Sequence, residues 1–334
     1  MKPLLTAVSL LALSQTSSFA AEPDWVNYPG GDGAGKGKHV VLIAGDEEYR
    51  SEDSLPQLGK ILAQHHGFNC TVLFSVSETG LIAPNAGTSL SHPEALDTAD
   101  AIVMLIRFRK WPDETMRRFD AAIRRGVPVI ALRTSTHAFQ LPNTSAFKAY
   151  NSFGKRVLGE QWVSHWGVHK SEATRGVIEP SQANHPILRG VTQVFGDSDV
   201  YEAAPPADAT ILLRGQVLAG MQPTDGPANY SKKRADGTNQ PINEPMMPIA
   251  WTREVPNPEG KTNRIVCTTM GAATDLANEG LRRLVINGVF WGLNLEIPAA
   301  AKVDPVGTFT PLPYGFNGYQ KEVKPASHAL PSAP

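Results

Sequence analysis

The sequence contains little cysteine and no excess of charge of either sign. Its 334 residues include 2 cysteines, and 31 lysine and arginine residues against 32 aspartate and glutamate residues give a formal net charge of -1 at pH 7. This balance supplies no general attraction to nucleic acid or to anionic lipid, so we expect a small or neutral partner. After the N-terminal segment no apolar run approaches the ~20 residues of a membrane span, and we expect no stable membrane insertion. The composition carries no signal for an oligomeric state.

Both cysteines lie in apolar, β-rich contexts. Cys70 stands in FNCTVLF and Cys267 in RIVCTTM. These contexts predict small core residues. A disulfide between the two in an oxidising compartment is the open alternative, and it requires Cα atoms within about 7 Å of each other.

The first 21 residues have the pattern of a signal peptide. Lys2 gives a positive start, an apolar core runs from Leu4 to Leu13, and SFA before Ala21 is a small-x-small cleavage signature. We expect cleavage after Ala20 or Ala21 and a periplasmic or secreted protein, without a lipid anchor because no cysteine lies near the cut. Residues 22–38 are rich in glycine, proline and aspartate and predict a flexible leader.

Apolar runs that alternate with amphipathic segments predict the fold. The order is strand, helix, strand, strand, helix, strand, which is typical of an α/β protein with a doubly wound, mostly parallel sheet. The predicted strands are 40–44, 71–74, 101–106, 127–132, 211–213, 248–253 and 264–269, and the predicted helices lie within 55–62, 113–125 and 281–293. Residues 142–243 are less regular and predict insertions, residues 222–244 an exposed, mobile loop, and residues 299–334 a proline-rich tail.

Three apolar strands end in polar sequence, at residues 46–50, 107–110 and 133–137. Parallel strands share their carboxyl edge, which is where open α/β sheets bind ligands. The candidate catalytic residues are His137, His165, Arg133, Ser135 and Glu202. The candidate substrate-binding residues are Asp46, Glu48, Tyr49, Arg107, Trp162, Trp166 and Tyr201. The alternative is that these are ordinary polar loops, with Ser135 or Thr136 capping a helix.

The segment GEQWVSHWGVHK, residues 159–170, carries a second signal. His165 and His169 are four residues apart, a spacing that zinc or manganese could use, with His137 as a third ligand. Gly167 between the two histidines argues against a helix. In the alternative interpretation the tryptophans form a sugar-stacking or core wall and the histidines donate hydrogen bonds.

Several motifs together resemble the trehalose-utilisation, or ThuA-like, family. They are HVVLIAGDEEYR, VPVIALRTSTHAF, WVSHWGVH, NHPILRGV, DVYEA, PIAWTR and TTMGAATDLANEGLRRLVINGVFWGL. The resemblance covers residues 39–298 and implies a flavodoxin-like fold related to class I glutamine amidotransferases. Those enzymes place a nucleophilic cysteine on the turn after the central strand. Here that turn reads Arg133 to His137, so glutamine hydrolysis is not expected.

The resemblance implies a role in sugar catabolism, including oxidised (keto) disaccharides. We expect an enzyme that acts on an oxidised sugar or glycoside by acid–base chemistry, with or without a divalent metal. Deprotonation next to a ketone needs a base, here His137 or His165, and a group that holds the enolate oxygen, here Arg107, Arg133 or a metal. Ser135 is a weaker candidate nucleophile. The alternative is a carbohydrate-binding or scaffold protein without turnover.

Overall fold

The computed structural model describes residues 22–330, and the predicted signal peptide at residues 1–21 lies outside them. Twelve strands and three α-helices form within the described range. The strands are β1 (Val26–Tyr28), β2 (His39–Gly45), β3 (Asn69–Phe74), β4 (Ala101–Ile106), β5 (Val129–Leu132), β6 (Thr174–Ile178), β7 (Phe195–Gly196), β8 (Thr210–Val217), β9 (Ser231–Lys233), β10 (Asn239–Pro241), β11 (Met247–Pro256) and β12 (Thr262–Thr268). The helices are α1 (Ser51–His66), α2 (Asp113–Arg124) and α3 (Glu279–Gly292).

Ten of the strands form one sheet in the order β1-β3-β2-β4-β5-β12-β11-β8-β6-β7. The central strands β3, β2, β4, β5 and β12 are parallel to one another. This confirms the predicted α/β fold with a doubly wound parallel sheet. Beyond β12 the strands β11, β8, β6 and β7 continue the sheet in antiparallel fashion. Three of these four strands come from the part of the chain that is irregular in sequence.

The central strands are apolar on both sides because helices cover both faces of the sheet. On β2, Leu42 belongs to the core under α1 and α3, whereas its neighbours Val41 and Ile43 belong to the core under α2. Gly67 ends α1 in the left-handed conformation, with φ of 79°. None of the helices within residues 22–330 combines the length and apolar content required to cross a membrane.

Both segments predicted to be loose at the ends of the domain are packed in the structure. Residues 22–38 include β1, which pairs with β3, and Tyr28 in β1 is fully buried. The Tyr28 hydroxyl donates to the carbonyl of His328 at 2.8 Å, and Ala301 and Val303 are also buried. The prediction of a flexible leader is therefore corrected, and residues of the proline-rich tail contribute to the core.

The polar loop at residues 222–244 forms the β9–β10 hairpin and packs on the domain. Ile242 is buried, and Nζ of Lys232 in β9 donates to the carbonyls of His165 and Trp166 at 2.8 and 2.9 Å. Most of residues 222–244 are exposed, as predicted, but the segment forms a hairpin with buried anchor residues instead of an unstructured loop. The hairpin supports the segment that carries the histidine pair.

The cysteines are buried and free. Cys70 lies on β3 and Cys267 on β12, with β2, β4 and β5 between them, and they belong to the cores on opposite faces of the sheet. Four strand spacings amount to about 19 Å, well beyond disulfide reach. Both are core residues, and the alternative of a disulfide between them is excluded by this arrangement.

Candidate functional site

The polar loops after β2, β4 and β5 meet at one edge of the sheet. The Thr134 hydroxyl donates to Oδ2 of Asp46 at 2.5 Å, which joins the loops after β5 and β2. The backbone N–H of Phe108 donates to the carbonyl of His137 at 3.0 Å, which joins the loops after β4 and β5. The carboxyl edge of the parallel strands therefore gathers the residues that the sequence places after the three strands.

Arg133 occupies the sharp turn directly after β5. Its φ of 38° lies in the left-handed region, which a residue other than glycine adopts only when its surroundings impose it. The side chain is fully buried, and the guanidinium lies 4.2 Å from the ring centre of Tyr49 and 4.3 Å from that of Tyr201. Its Nη2 donates to Oδ1 of Asp199 at 3.0 Å. Arg133 therefore holds Asp199 instead of facing a substrate, which corrects its expected role.

Asp199 is the centre of the site. Its buried carboxylate accepts hydrogen bonds from Nδ1 of His165 at 2.7 Å and from Nδ1 of His169 at 2.9 Å. Burial alone would raise the pKa of this carboxyl, but the two histidine hydrogen bonds and the charge of Arg133 lower it below its usual range. Asp199 is therefore ionised and orients both imidazole rings.

The two histidines are accessible, unlike the carboxylate that holds them. The side chains of His165 and His169 are 35% and 27% exposed, and their ring centres are 4.7 Å apart. Nε2 of His169 lies 3.2 Å from Oε1 of Glu48 in the loop after β2. The antiparallel bridge between His165 and Tyr201 fixes the backbone of this irregular segment against the strand-like stretch that carries Asp199.

His165, His169 and Asp199 also form a group that fits a metal ion. One ligand atom from each lies within 4.8 Å of the others. Two imidazole nitrogens and a carboxylate oxygen are a donor set suited to zinc or manganese. His137 is not a member of this group, so Asp199 takes the place that the sequence analysis gives to His137.

His137 is nearly fully buried, with 4% exposure. Its ring packs 4.8 Å from that of Phe108 and 5.3 Å from that of Trp162. Burial, followed by the charges of Arg107 and Arg133, lowers the pKa of His137 to about 3. The side chain is therefore neutral at neutral pH and does not have the pKa near working pH that a general base needs.

Several other candidate residues are buried and bonded within the protein. Ser135 Oγ donates to the carbonyl of Met104 at 3.0 Å, and Trp166 Nε1 donates to the carbonyl of Ile242 at 2.7 Å. Glu202 accepts from the Ser164 hydroxyl at 3.0 Å and from the backbone N–H of Ala235, so it holds the β9–β10 hairpin. The remaining buried candidates are Asp46, Glu48, Tyr49 and Tyr201. The expectations of a serine nucleophile, a catalytic Glu202 and a Trp166 stacking platform are corrected.

Two candidates, Trp162 and Arg107, are partly open. Trp162 is half-buried, and its ring centre is 5.7 Å from that of His165. The side chain of Arg107 is 20% exposed, and its Nη1 donates to Oε1 of Glu47 at 2.6 Å. Trp162, Glu48, Tyr201 and Tyr49 are predicted binding residues that the structure places near the histidine pair.

Asp199 and Glu47 are not among the residues predicted for the site. Asp199 lies in DSDVYE, which contains three carboxylates, and the sequence does not indicate which of the three belongs to the site. In an extended segment alternate residues share one side, so Asp199 and Tyr201 point the same way, and both contact Arg133. This alternation, next to a buried arginine, is the signal that could have selected Asp199.

Residues 39–292 match the model of the ThuA family, described as trehalose utilisation. The chain belongs to the ThuA family. Its membership indicates a carbohydrate-related role. No curated protein matches the chain.

Solved structures are similar to this ThuA-family chain in fold. A ThuA-like protein from Parabacteroides merdae has a TM-score of 0.52 and 16% identity, covering 86% of this chain and all of its own. A ThuA-like protein from Bacteroides uniformis has a TM-score of 0.46 and 14% identity over 83% of this chain and 94% of its own. A GMP synthase subunit from Thermoplasma acidophilum has a TM-score of 0.37 and 11% identity over 77% of this chain and 94% of its own. The first of these supports the α/β fold.

Proposed function

We propose that this ThuA-family protein is an enzyme of carbohydrate catabolism that acts on an oxidised (keto) sugar or glycoside by acid–base chemistry, with His165 as the base. One observation carries the proposal. The Nδ1 atom of His165 is held 2.7 Å from the buried carboxylate of Asp199, while its side chain is 35% exposed. A carboxylate that orients an accessible imidazole is the recurrent arrangement of a histidine base.

The ring orientation determines which nitrogen can react. Asp199 is ionised and accepts the Nδ1–H of His165, so Nε2 carries the lone pair. In the proposed reaction, Nε2 takes the proton from the carbon next to the ketone, and the electron pair moves to the ketone oxygen. The resulting enolate either regains a proton, which isomerises the sugar, or expels a glycosidic oxygen on the adjacent position, which takes up a proton and cleaves the glycoside.

Arg133 and Arg107 do not serve the enolate oxygen in this proposal. Arg133 is fully buried against Asp199, and Arg107 is engaged by Glu47. His169 is the nearest accessible donor, since its ring lies 4.7 Å from that of His165. In this proposal the Nε2–H of His169 exchanges Oε1 of Glu48, 3.2 Å away, for the substrate oxygen.

A divalent metal, zinc or manganese, fits the same residues. His165, His169 and Asp199 would hold it, and Glu48 lies beside them. When bound, such an ion would supply a positive charge that stabilises a developing oxyanion. Asp199 then remains the residue that fixes both rings.

The direct test is to incubate the full chain with a keto derivative of trehalose and with trehalose itself, and to identify products by mass. We expect the parent to convert the keto sugar and His165→Ala to lose this activity. His92→Ala is the matched control, because His92 lies with His39 at the opposite edge of the sheet. Saturable sugar binding without any product would contradict the enzyme proposal and favour the alternative of a carbohydrate-binding protein.

The metal is tested separately from turnover. We expect zinc or manganese to raise the melting temperature of the parent and not that of His169→Ala, because a ligand that binds only the folded state stabilises it. Absence of any effect, together with no bound metal after purification without chelator, would exclude the metal and leave the acid–base proposal intact.

We also propose that the protein is exported to the periplasm or secreted after loss of its first 20 or 21 residues. The support is the charged start, apolar core and small-residue exit of the N-terminal sequence. N-terminal sequencing of protein from its native source tests it, and an intact Met1 would contradict it.

A further inference from the structure

The C-terminal segment at residues 312–318 lies outside the part of the chain that matches the family, residues 39–292, yet it is attached to the site. The backbone N–H of Leu312 donates to Oδ2 of Asp53 at 3.0 Å. The N–H of Gly315 donates to the carbonyl of Glu48 at 2.7 Å, and Arg50 Nη2 donates to the carbonyl of Gly315 at 2.5 Å. The segment is therefore held to the loop after β2, which also supplies Glu48.

Tyr314 brings this segment to the histidine pair. Its ring stacks on that of Tyr49, with centres 5.2 Å apart, and lies 5.7 Å from the ring of His169. Its hydroxyl donates to the carbonyl of Asp197 at 3.0 Å. Tyr314 is thus a fixed wall of the site, and the residues that follow it in the chain lie at the border of the site.

Phe316 follows two residues later, and its Cα can be at most about 7 Å from that of Tyr314. Its side chain is unusually open for a large apolar residue, with 55% exposure. The guanidinium of Arg107 lies 5.0 Å from the ring centre of Phe316 and 5.0 Å from that of Phe108. The ring is therefore positioned by a side chain of the site while much of its surface faces solvent.

We propose that Phe316 is a stacking platform for a second sugar ring, so that the site takes a glycoside of at least two rings, the first of them at His165. This rests on the proposed function. The apolar C–H faces of a pyranose pack on an aromatic ring and remove both surfaces from water. Arg107 beside the ring is bonded to Glu47 through Nη1, and its remaining N–H groups can donate to the hydroxyls at the sugar edge. This combination of an aromatic surface and a few polar groups is typical of small-molecule sites.

The test compares the binding of trehalose, which has two rings, and glucose, which has one, to the full chain by calorimetry. In Phe316→Ala we expect the Kd for trehalose to rise about five- to tenfold and the Kd for glucose to change less than twofold, since only the second ring loses its partner. Phe316→Trp should retain the trehalose affinity. Tyr319→Ala, directly after this segment, is the matched control because the ring of Tyr319 contacts Lys321, and it should leave both constants unchanged.

The outcomes separate this inference from the proposed function. If the parent binds both sugars and Phe316→Ala leaves the ratio of their Kd values unchanged, the subsite is refuted and the acid–base proposal stands. If Phe316→Ala weakens both sugars equally, Phe316 acts on the whole segment and the subsite is again refuted. If the parent binds neither sugar, the subsite is refuted, whereas failure to convert the keto sugar refutes the acid–base proposal and leaves the Kd ratio to decide the subsite.

Discussion

His137 and His165 stand at the same edge of the sheet, with the ring of Trp162 packed against both. His137 follows a buried strand, is 4% exposed and has a pKa lowered to about 3 by burial and by the charges of Arg107 and Arg133. His165 lies in an irregular segment that does not follow a strand. Its side chain is 35% exposed and is hydrogen-bonded to the ionised carboxylate of Asp199. Position at a ligand-binding edge therefore does not by itself make a histidine reactive.

The difference lies in the partners of the two rings. Among the described residues, Nδ1 of His137 is hydrogen-bonded to the Thr136 hydroxyl at 3.2 Å, and no carboxylate forms an ion pair with the ring. His165 instead has Asp199, which in turn is held by Arg133. A neutral, buried imidazole contributes packing, whereas an accessible imidazole that is oriented by a carboxylate can transfer protons. The comparison makes four quantitative predictions.

The largest effect is expected from Asp199→Asn. The variant removes the charge that orients both histidines, so we expect turnover of the proposed keto sugar to fall on the order of 10³-fold or more. It also leaves Arg133 buried without its ionic partner, and we expect the free energy of unfolding to fall by about 3 kcal/mol. Urea unfolding and steady-state kinetics measure the two effects. Full activity in the folded variant would contradict the central role of Asp199.

The second prediction contrasts alanine at the two histidines. His165→Ala should lower turnover by about a hundredfold or more while its melting temperature stays within a few degrees of the parent. His137→Ala should instead lower the free energy of unfolding by about 1–3 kcal/mol, because it leaves a cavity among aromatic rings. The comparison fails if His137→Ala remains as stable as the parent and loses activity as His165→Ala does.

The third prediction concerns the pH dependence of stability. The pKa of His137 in the folded protein, about 3, is below its ordinary value of 6.5, so between these values only the unfolded chain binds the proton. The stability that neutral His137 contributes is complete above pH 6.5. The free energy of unfolding then decreases as the pH falls toward 3, by up to about 1.4 kcal/mol per pH unit. His137→Gln should therefore lose less stability than the parent between pH 7 and pH 4. Urea unfolding of both proteins at pH 7 and pH 4 measures this difference. An equal loss of stability in the parent and in His137→Gln would contradict the prediction.

The smallest effect is expected from Ser135→Ala. The hydroxyl of Ser135 is buried and donates to the carbonyl of Met104, so its removal should cost about 1 kcal/mol of stability. Turnover should remain within twofold of the parent, because this hydroxyl does not reach the histidine pair. A loss of activity comparable to that of His165→Ala would restore the serine as a nucleophile.

The parallel part of the fold is predictable from sequence because its signals are local. The run AIVMLI at residues 101–106 matches β4 residue for residue, and the amphipathic pattern after Asp113 matches α2 to within one residue. The antiparallel extension is less apparent. Strand β6, Thr174–Ile178, pairs with β8, and most of its residues are only half-buried. It therefore does not need a continuous apolar run, and the sequence gives no strand signal there.

The candidate site is predictable only in part. The sequence indicates the carboxyl edge of the parallel strands and Glu48, because the polar residues there directly follow apolar strands. It also indicates the histidine segment, because His165 and His169 are four residues apart. It does not indicate that Asp199, 30 residues after His169, accepts hydrogen bonds from both rings. It also does not indicate that Tyr314, far beyond the last helix, stacks on Tyr49. Both facts depend on contacts between distant segments.

The sequence by itself determined the family, the buried parallel strands and the absence of a cysteine from the turn after β5. These follow from hydrophobic periodicity and from the identity of single residues, which act over a few positions in the chain. Only the tertiary structure decided which histidine is accessible, which carboxylate orients it and how the chain ends pack. Those properties depend on burial and on hydrogen bonds between residues far apart in sequence, and neither is encoded in a local pattern.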